Sequence, residues 1–136
     1  MNTKPYLTLA DAKQIGAAAE AEALANGWAV SIAIVDDGGH LLWQQRLDGA
    51  PPISSHIAPS KANTAALGRR ESKVYEDVIN GGRMSFLSAP KLEGMLEGGV
   101  PVIVDGHVIG AVGVSGVKSN EDVQIARAGI AALGAA

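Results

Sequence analysis

The 136-residue chain has no cysteine, which removes disulfides, thiolate nucleophiles and thiolate metal ligands from consideration. Aromatic residues are also scarce: two Trp, two Tyr and one Phe. The core must therefore be built from Ala, Val, Ile and Leu. Such small side chains let helices approach closely whatever they cover. They also give a lone subunit little to bury, which favours a homo-oligomer. Basic runs are missing and the net charge is -3, so the chain has no electrostatic footprint for nucleic acid. No stretch reaches the roughly 18 consecutive apolar residues of a membrane span, and the opening MNTKPYLTLADAK has no apolar signal core. A cytoplasmic protein with neither membrane nor nucleic-acid partner is expected. Its length fits a single domain, 1–136.

What is present is organised around residues 97–116. Two β-branched runs, Val100–Val104 and Val108–Val114, flank Asp105-Gly106, a pair that favours the tight primed turn of a hairpin. Gly98, Gly99, Gly110, Gly113 and Gly116 are more glycines than a hairpin needs, and they mark places where another backbone or a ligand comes close. An earlier pair of runs, Trp28–Val35 and His40–Arg46, is joined by Asp36-Asp37-Gly38-Gly39 and reads as a second hairpin.

Helical signals surround these hairpins. Thr8 and Asp11 fit a capping box for a helix over Leu9–Ala25, stopped by Asn26-Gly27, with Leu9, Ala12, Ile15, Ala19 and Ala23 as its buried stripe. Ser54 or Ser55 caps a second helix running to Gly68, whose regular part is expected only after Pro59. Glu71–Ile79 has helical spacing, Phe86-Leu87 suggests a short edge strand, and Ala89–Met95 suggests a turn of helix. Asn120-Glu121-Asp122 opens a last helix over Val123–Leu133, its acids lying at the positive end of the dipole. The order predicts an α+β domain: an antiparallel sheet built from two hairpins, with packed helices.

Several residues have chemical potential. Arg46 and Asp48 flank the exit of the second strand, where they either form a local ion pair or reach a ligand. Lys61 stands in a run of small residues, where it either snorkels to solvent or offers an ammonium to an anion. Arg69 and Arg70 suit a helix C-terminus and, with Lys61, would attract a small anion. His40, His56 and His107 match no metal-binding spacing, so no metal site is expected. Among them His56, between serines and Pro59, is best placed to reach a pocket. No nucleophile-elbow pattern supports a Ser-His-Asp triad.

With these stretches in place, the chain resembles the GlcG/HbpS family, often described as haem-degrading and including the C-terminal domain of PduO. The resemblance is carried by residues 32–41 (IAIVDDGGHL), 46–50 (RLDGA), 61–71 (KANTAALGRRE), 96–102 (LEGGVPV) and 105–116 (DGHVIGAVGVSG). It implies a profilin-like fold, a homo-oligomer and a small-molecule ligand, with haem as the family's candidate cofactor. The ligand-binding candidates are Arg46, Asp48, His56, Lys61, Gly99, Pro101 and Ser115. Haem-binding members have an implicated iron ligand towards the N-terminal helix, and this chain has no histidine between Met1 and Gly39. If haem binds, His56 is the candidate iron ligand, with His107 or His40 as alternatives, or the iron is held in another way. Two other functions stay open. One is a binding module for a small carboxylate such as a 2-hydroxy acid, using Lys61, Arg46 and the Gly113–Gly116 backbone. The other is an enzyme on such a substrate, with Asp48 or His56 as general base.

Overall fold

Thr8 closes the first helix as its sequence predicts. The Asp11 amide donates to Thr8 Oγ1 (3.1 Å) and the Thr8 amide donates to Asp11 Oδ2 (3.0 Å), so two otherwise orphaned donors are satisfied. The computed structural model describes residues 1–134, and this helix, α1, spans Leu9–Ala25. Its buried stripe is Ala12, Ile15, Gly16, Ala19 and Ala23, whereas Leu9 is exposed. Gly16 joins the stripe because Trp43 lies on it: a methyl group there would stand 2.5 Å from the indole ring.

Four strands follow the two-hairpin plan: β1 Ser31–Asp36, β2 Leu41–Arg46, β3 Gly99–Val104 and β4 His107–Ser115. They form one antiparallel sheet in the order β2-β1-β4-β3, so the mostly apolar β1 and β4 are central. Asp105 and Gly106 both take positive φ (50° and 78°), as a type I′ turn demands. Each hairpin carries a bulge, at Ile34/Val35 in the first and at Val102/Ile103 in the second.

The sheet is covered on both faces. Helix α1 and the last helix, α4 (Ser119–Ala131), pack on one face over Ile32, Ile34, Val100, Val102, Val112 and Val114. On the other face lies α2 (Ser54–Gly68), over Val35, Ala111, Gly99 of β3 and Gly113 of β4. Neither Ser54 nor Ser55 caps α2. Their hydroxyls donate back to the carbonyls of Pro51 (2.6 Å) and Pro52 (2.8 Å), and the helix runs through Pro59. Proline has no N–H to give the Ser55 carbonyl four residues earlier, and Gln44 Nε2 donates to it instead (2.7 Å). A side chain from β2 thus repairs the bond that the sequence predicts to be missing.

After α2 the chain forms α3 (Lys73–Asn80) and a 3-10 turn at Met84–Ser88. Phe86-Leu87 therefore lies in a tight helical turn, not in an edge strand, and no helix forms over 89–95. Stacking sets this outcome, because the Phe86 ring lies 5.2 Å from Tyr75 of α3 and turns the chain back on itself.

Candidate functional site

The turn between β1 and β2 is held by its first acid. Asp36 Oδ1 accepts the amide hydrogens of Gly38 and His40, both at 2.9 Å, so the loop folds over its own carboxylate. The same carboxylate meets the His40 ring, with Nδ1 at 3.2 Å from Oδ1 and 3.3 Å from Oδ2. An ionised carboxylate only accepts, so Nδ1 carries the proton and Nε2 is the free lone pair of the neutral ring. The imidazole is 82% exposed and oriented from behind.

His40 stands at the rim of a groove of about 640 Å³. Gly38 and Gly39 form one wall, Pro59, Ser60, Asn63 and Leu67 on the outer side of α2 form the floor, and Lys91 and Glu93 close the far side. That far wall is pinned in two ways. Asn63 Nδ2 donates to the Lys91 carbonyl (2.7 Å), and Gly94 rests on the Ser60 backbone so closely that a methyl there would stand 2.6 Å from the Lys61 nitrogen. A volume in this range suits a small organic ligand or cofactor.

The residues expected from the sequence are dispersed. Lys61 points away from the groove, into the protein. Its Nζ, 4% exposed as a side chain, donates to Val114 O (3.0 Å) and Asp122 Oδ2 (3.1 Å). Asp122 Oδ1 in turn accepts from the Val117 amide (3.3 Å). Burial pushes the Asp122 carboxyl up to about 6, against the pull of the Lys61 ammonium. The pair joins α2 on one face to α4 on the other, past Gly98, and both polar groups of Lys61 and Asp122 are occupied. Spacing gives no sign of it, since the partners are 61 residues apart.

Gly99 is packed under α2, its amide donating to Ser72 Oγ (2.8 Å). Pro101 is half-buried on β3. Ser115 is buried and lies in one cross-strand row with Ser31 and Arg46. Ser31 Oγ meets Ser54 Oγ at 2.8 Å beneath α2. Arg46 is exposed at the end of β2, and no Arg46–Asp48 ion pair forms among the described residues. Asp48 instead borders a separate cleft with Trp28, Leu24 and Glu20. His56 is exposed on the outer side of α2, one turn before Ser60, whose hydroxyl donates to the His56 carbonyl (3.0 Å). The groove therefore gathers His40, which the sequence offered only as an alternative iron ligand, with Asn63 and Lys91, which it did not single out. The Asp36-x-Gly-x-His spacing was the signal, since an acid that accepts from its own turn also meets the ring four residues on.

Among the described residues no cluster of three or more His, Asp or Glu side chains would hold a bare metal ion, and no helix is long and apolar enough to cross a membrane.

Comparison with known proteins agrees with this architecture. The family model for "Haem degrading protein HbpS-like" matches residues 7–131. The protein GlcG of Escherichia coli (strain K12) is 56% identical over 115 residues, 85% of each chain. A double mutant of Streptomyces reticuli HbpS superimposes with a TM-score of 0.88 at 33% identity, covering 98% of this chain and 91% of that one. A PduOC–haem complex superimposes with a TM-score of 0.86 at 31% identity, covering 97% and 98%. The antiparallel sheet, its helices and the sequence match lead to one conclusion: the chain belongs to the HbpS-like family of haem-degrading proteins.

Proposed function

We propose that this protein binds haem in the groove beside His40 and does so as a self-associating molecule. The observation that carries the reading is the Asp36–His40 pair, which engages Nδ1 and leaves Nε2 as the ring nitrogen free for a ligand beside a groove of suitable size. A porphyrin supplies four nitrogens to its iron, so the protein needs to add only one axial ligand. That requirement suits the oriented His40 imidazole and the lack, among the described residues, of a cluster for a bare ion. Pro59 and Leu67 offer apolar surface to a flat macrocycle, and Lys91 lies at the rim, where a carboxylate side group would meet an ammonium. Asp36 does for His40 what outer-shell carboxylates do at metal sites, fixing tautomer and ring direction. When bound, haem would supply redox-active iron. A relative crystallised as a haem complex adds weight to the choice of ligand.

Self-association is supported by α3 and the 3-10 turn, which bury no side chain of their own. Val74, Met84 and Leu87 are exposed there, as is Leu96 in the loop beside them, more apolar surface than one subunit gains by leaving open.

A hemin titration followed at the Soret band, with light scattering on the same sample, tests the proposal. Wild type is expected to saturate at one haem per subunit in a particle heavier than one chain. His40→Ala should lose the specific band, and Asp36→Asn should weaken binding about tenfold. His56→Ala should bind as wild type does. Loss of the band in His56→Ala with His40→Ala unaffected would move the ligand to the outer side of α2. No saturable band in wild type would end the haem reading.

A further inference from the structure

Asp37, the second acid of the β1–β2 turn, lines no part of the groove beside His40 and holds two cations. Its carboxylate accepts from Lys4 Nζ (2.5 Å), and its carbonyl accepts from Arg69 Nη1. Arg69 Nη1 also donates to Ala66 O (2.9 Å), so both hydrogens on that nitrogen are used. Nε and Nη2 have no acceptor among the described residues. These two nitrogens form the side-on edge of the guanidinium, whose parallel N–H bonds match the two oxygens of a carboxylate.

The backbone shows that this placement is costly. Arg69 ends α2 in the left-handed region (φ 58°), a position where helices usually carry glycine. A bulky charged residue is held there against its own preference, with its guanidinium anchored on one side only.

A groove of about 440 Å³ is lined by Lys4, Arg69, Ile103, Gly106, His107 and Val108. The Lys4 ammonium, through its hydrogen bond, and Arg69 through its charge hold the Asp37 carboxyl below the usual carboxylate range. At neutral pH the groove therefore has two fixed cations against one carboxylate. Ile103, 41% exposed, and Val108 supply an apolar patch from the β3–β4 hairpin.

We propose that this groove is a binding site for a small aliphatic carboxylate, gripped side-on by Arg69 Nε and Nη2, with its chain against Ile103 and Val108. The site is separate from the haem groove and does not depend on the haem reading. It moves anion recognition from Lys61, whose ammonium is occupied, to a guanidinium with a free edge.

Butyrate, acetate and inorganic phosphate, each titrated into wild type and followed by amide NMR shifts, test the assignment. Butyrate is expected to saturate and to shift Gly106, His107 and Arg69. Acetate should bind more weakly, lacking the apolar contact. Arg69→Gly keeps the helix end, since glycine takes this backbone without strain, and should weaken butyrate binding at least about tenfold, or 1.4 kcal/mol. Arg69→Lys keeps the charge but not the fork, and should weaken it by a similar factor. Butyrate binding unchanged in Arg69→Gly, shifts confined to other parts of the chain, or no saturation in wild type would each overturn the proposal. Phosphate binding more tightly than butyrate would overturn the carboxylate assignment.

Discussion

Lys61→Met is expected to destabilise the protein by about 3–5 kcal/mol at pH 7, read from urea unfolding. Methionine nearly matches the lysine stem in volume, so the loss does not come from a cavity. It comes from Asp122, left in the interior without its cation, and from Val114 O, left without a donor. The double variant Lys61→Met/Asp122→Leu removes both charges and should recover most of that loss, because the desolvation cost of the pair disappears with the pair. A single substitution costing less than about 1 kcal/mol would show that the pair contributes little to holding the layers together.

The same pair makes a pH prediction. The folded Asp122 carboxyl titrates near 6 and its ordinary value is 3.8, so the native state binds the extra proton. A group raised in this way stabilises the fold fully below about pH 4, and that contribution is lost as pH rises through 6. At 1.36 kcal/mol per pH unit the contribution is about 3 kcal/mol. Between pH 4 and pH 7 the double variant should therefore gain stability relative to wild type by up to that amount. Equal slopes for the two proteins would show that Asp122 has its ordinary affinity for the proton.

Gly113→Ala should be at least as damaging as the loss of Lys61, at about 3 kcal/mol or more. The added methyl would fall well inside contact with the Ala58 carbonyl oxygen and 2.6 Å from the Ala62 nitrogen. Those are backbone atoms of α2, which cannot rotate aside as a flexible side chain does. Overpacking usually costs about 1–3 kcal/mol, and a clash with two backbone groups belongs at or above the top of that range. Gly106→Asn is the control. It lies in open space at a φ of 78° that asparagine tolerates, and should change the urea midpoint only slightly. Similar losses in the two variants would mean that the closeness of α2 does not set the cost.

Most of the fold was legible because its signals are local. Thr8 and Asp11 fix where α1 begins, and Asp105-Gly106 fixes the second hairpin. Ile32 and Ile34 alternate with small residues, as a strand between two layers requires. What the sequence hid depends on partners far along the chain. Pro59 reads as a helix breaker until Gln44 arrives from β2 to satisfy Ser55. Phe86-Leu87 reads as a strand until Tyr75 stacks on it. The site followed the same division. Lys61 stood out as an isolated charge, but its meaning lay in Asp122, which local reading assigns to the helix dipole. His40 looked like an ordinary strand-opening histidine, because the loop that builds its groove, around Lys91, has no periodicity to announce it.

The close seat of α2 on glycine also decides where the molecule opens first. Between the Ala58–Ala62 backbone and Gly113 there are almost no side chains to loosen, so helix and sheet part together or not at all. Amides of Ala62, Ala65 and Ala66 should exchange with solvent deuterium only through global unfolding. Those of Lys73–Asn80 and Met84–Ser88, none of whose side chains is fully buried, should exchange through local opening at far lower free energy. One exchange experiment would thus divide the chain into a cooperative block and an independent arm. The arm would be the first segment to protect when subunits assemble.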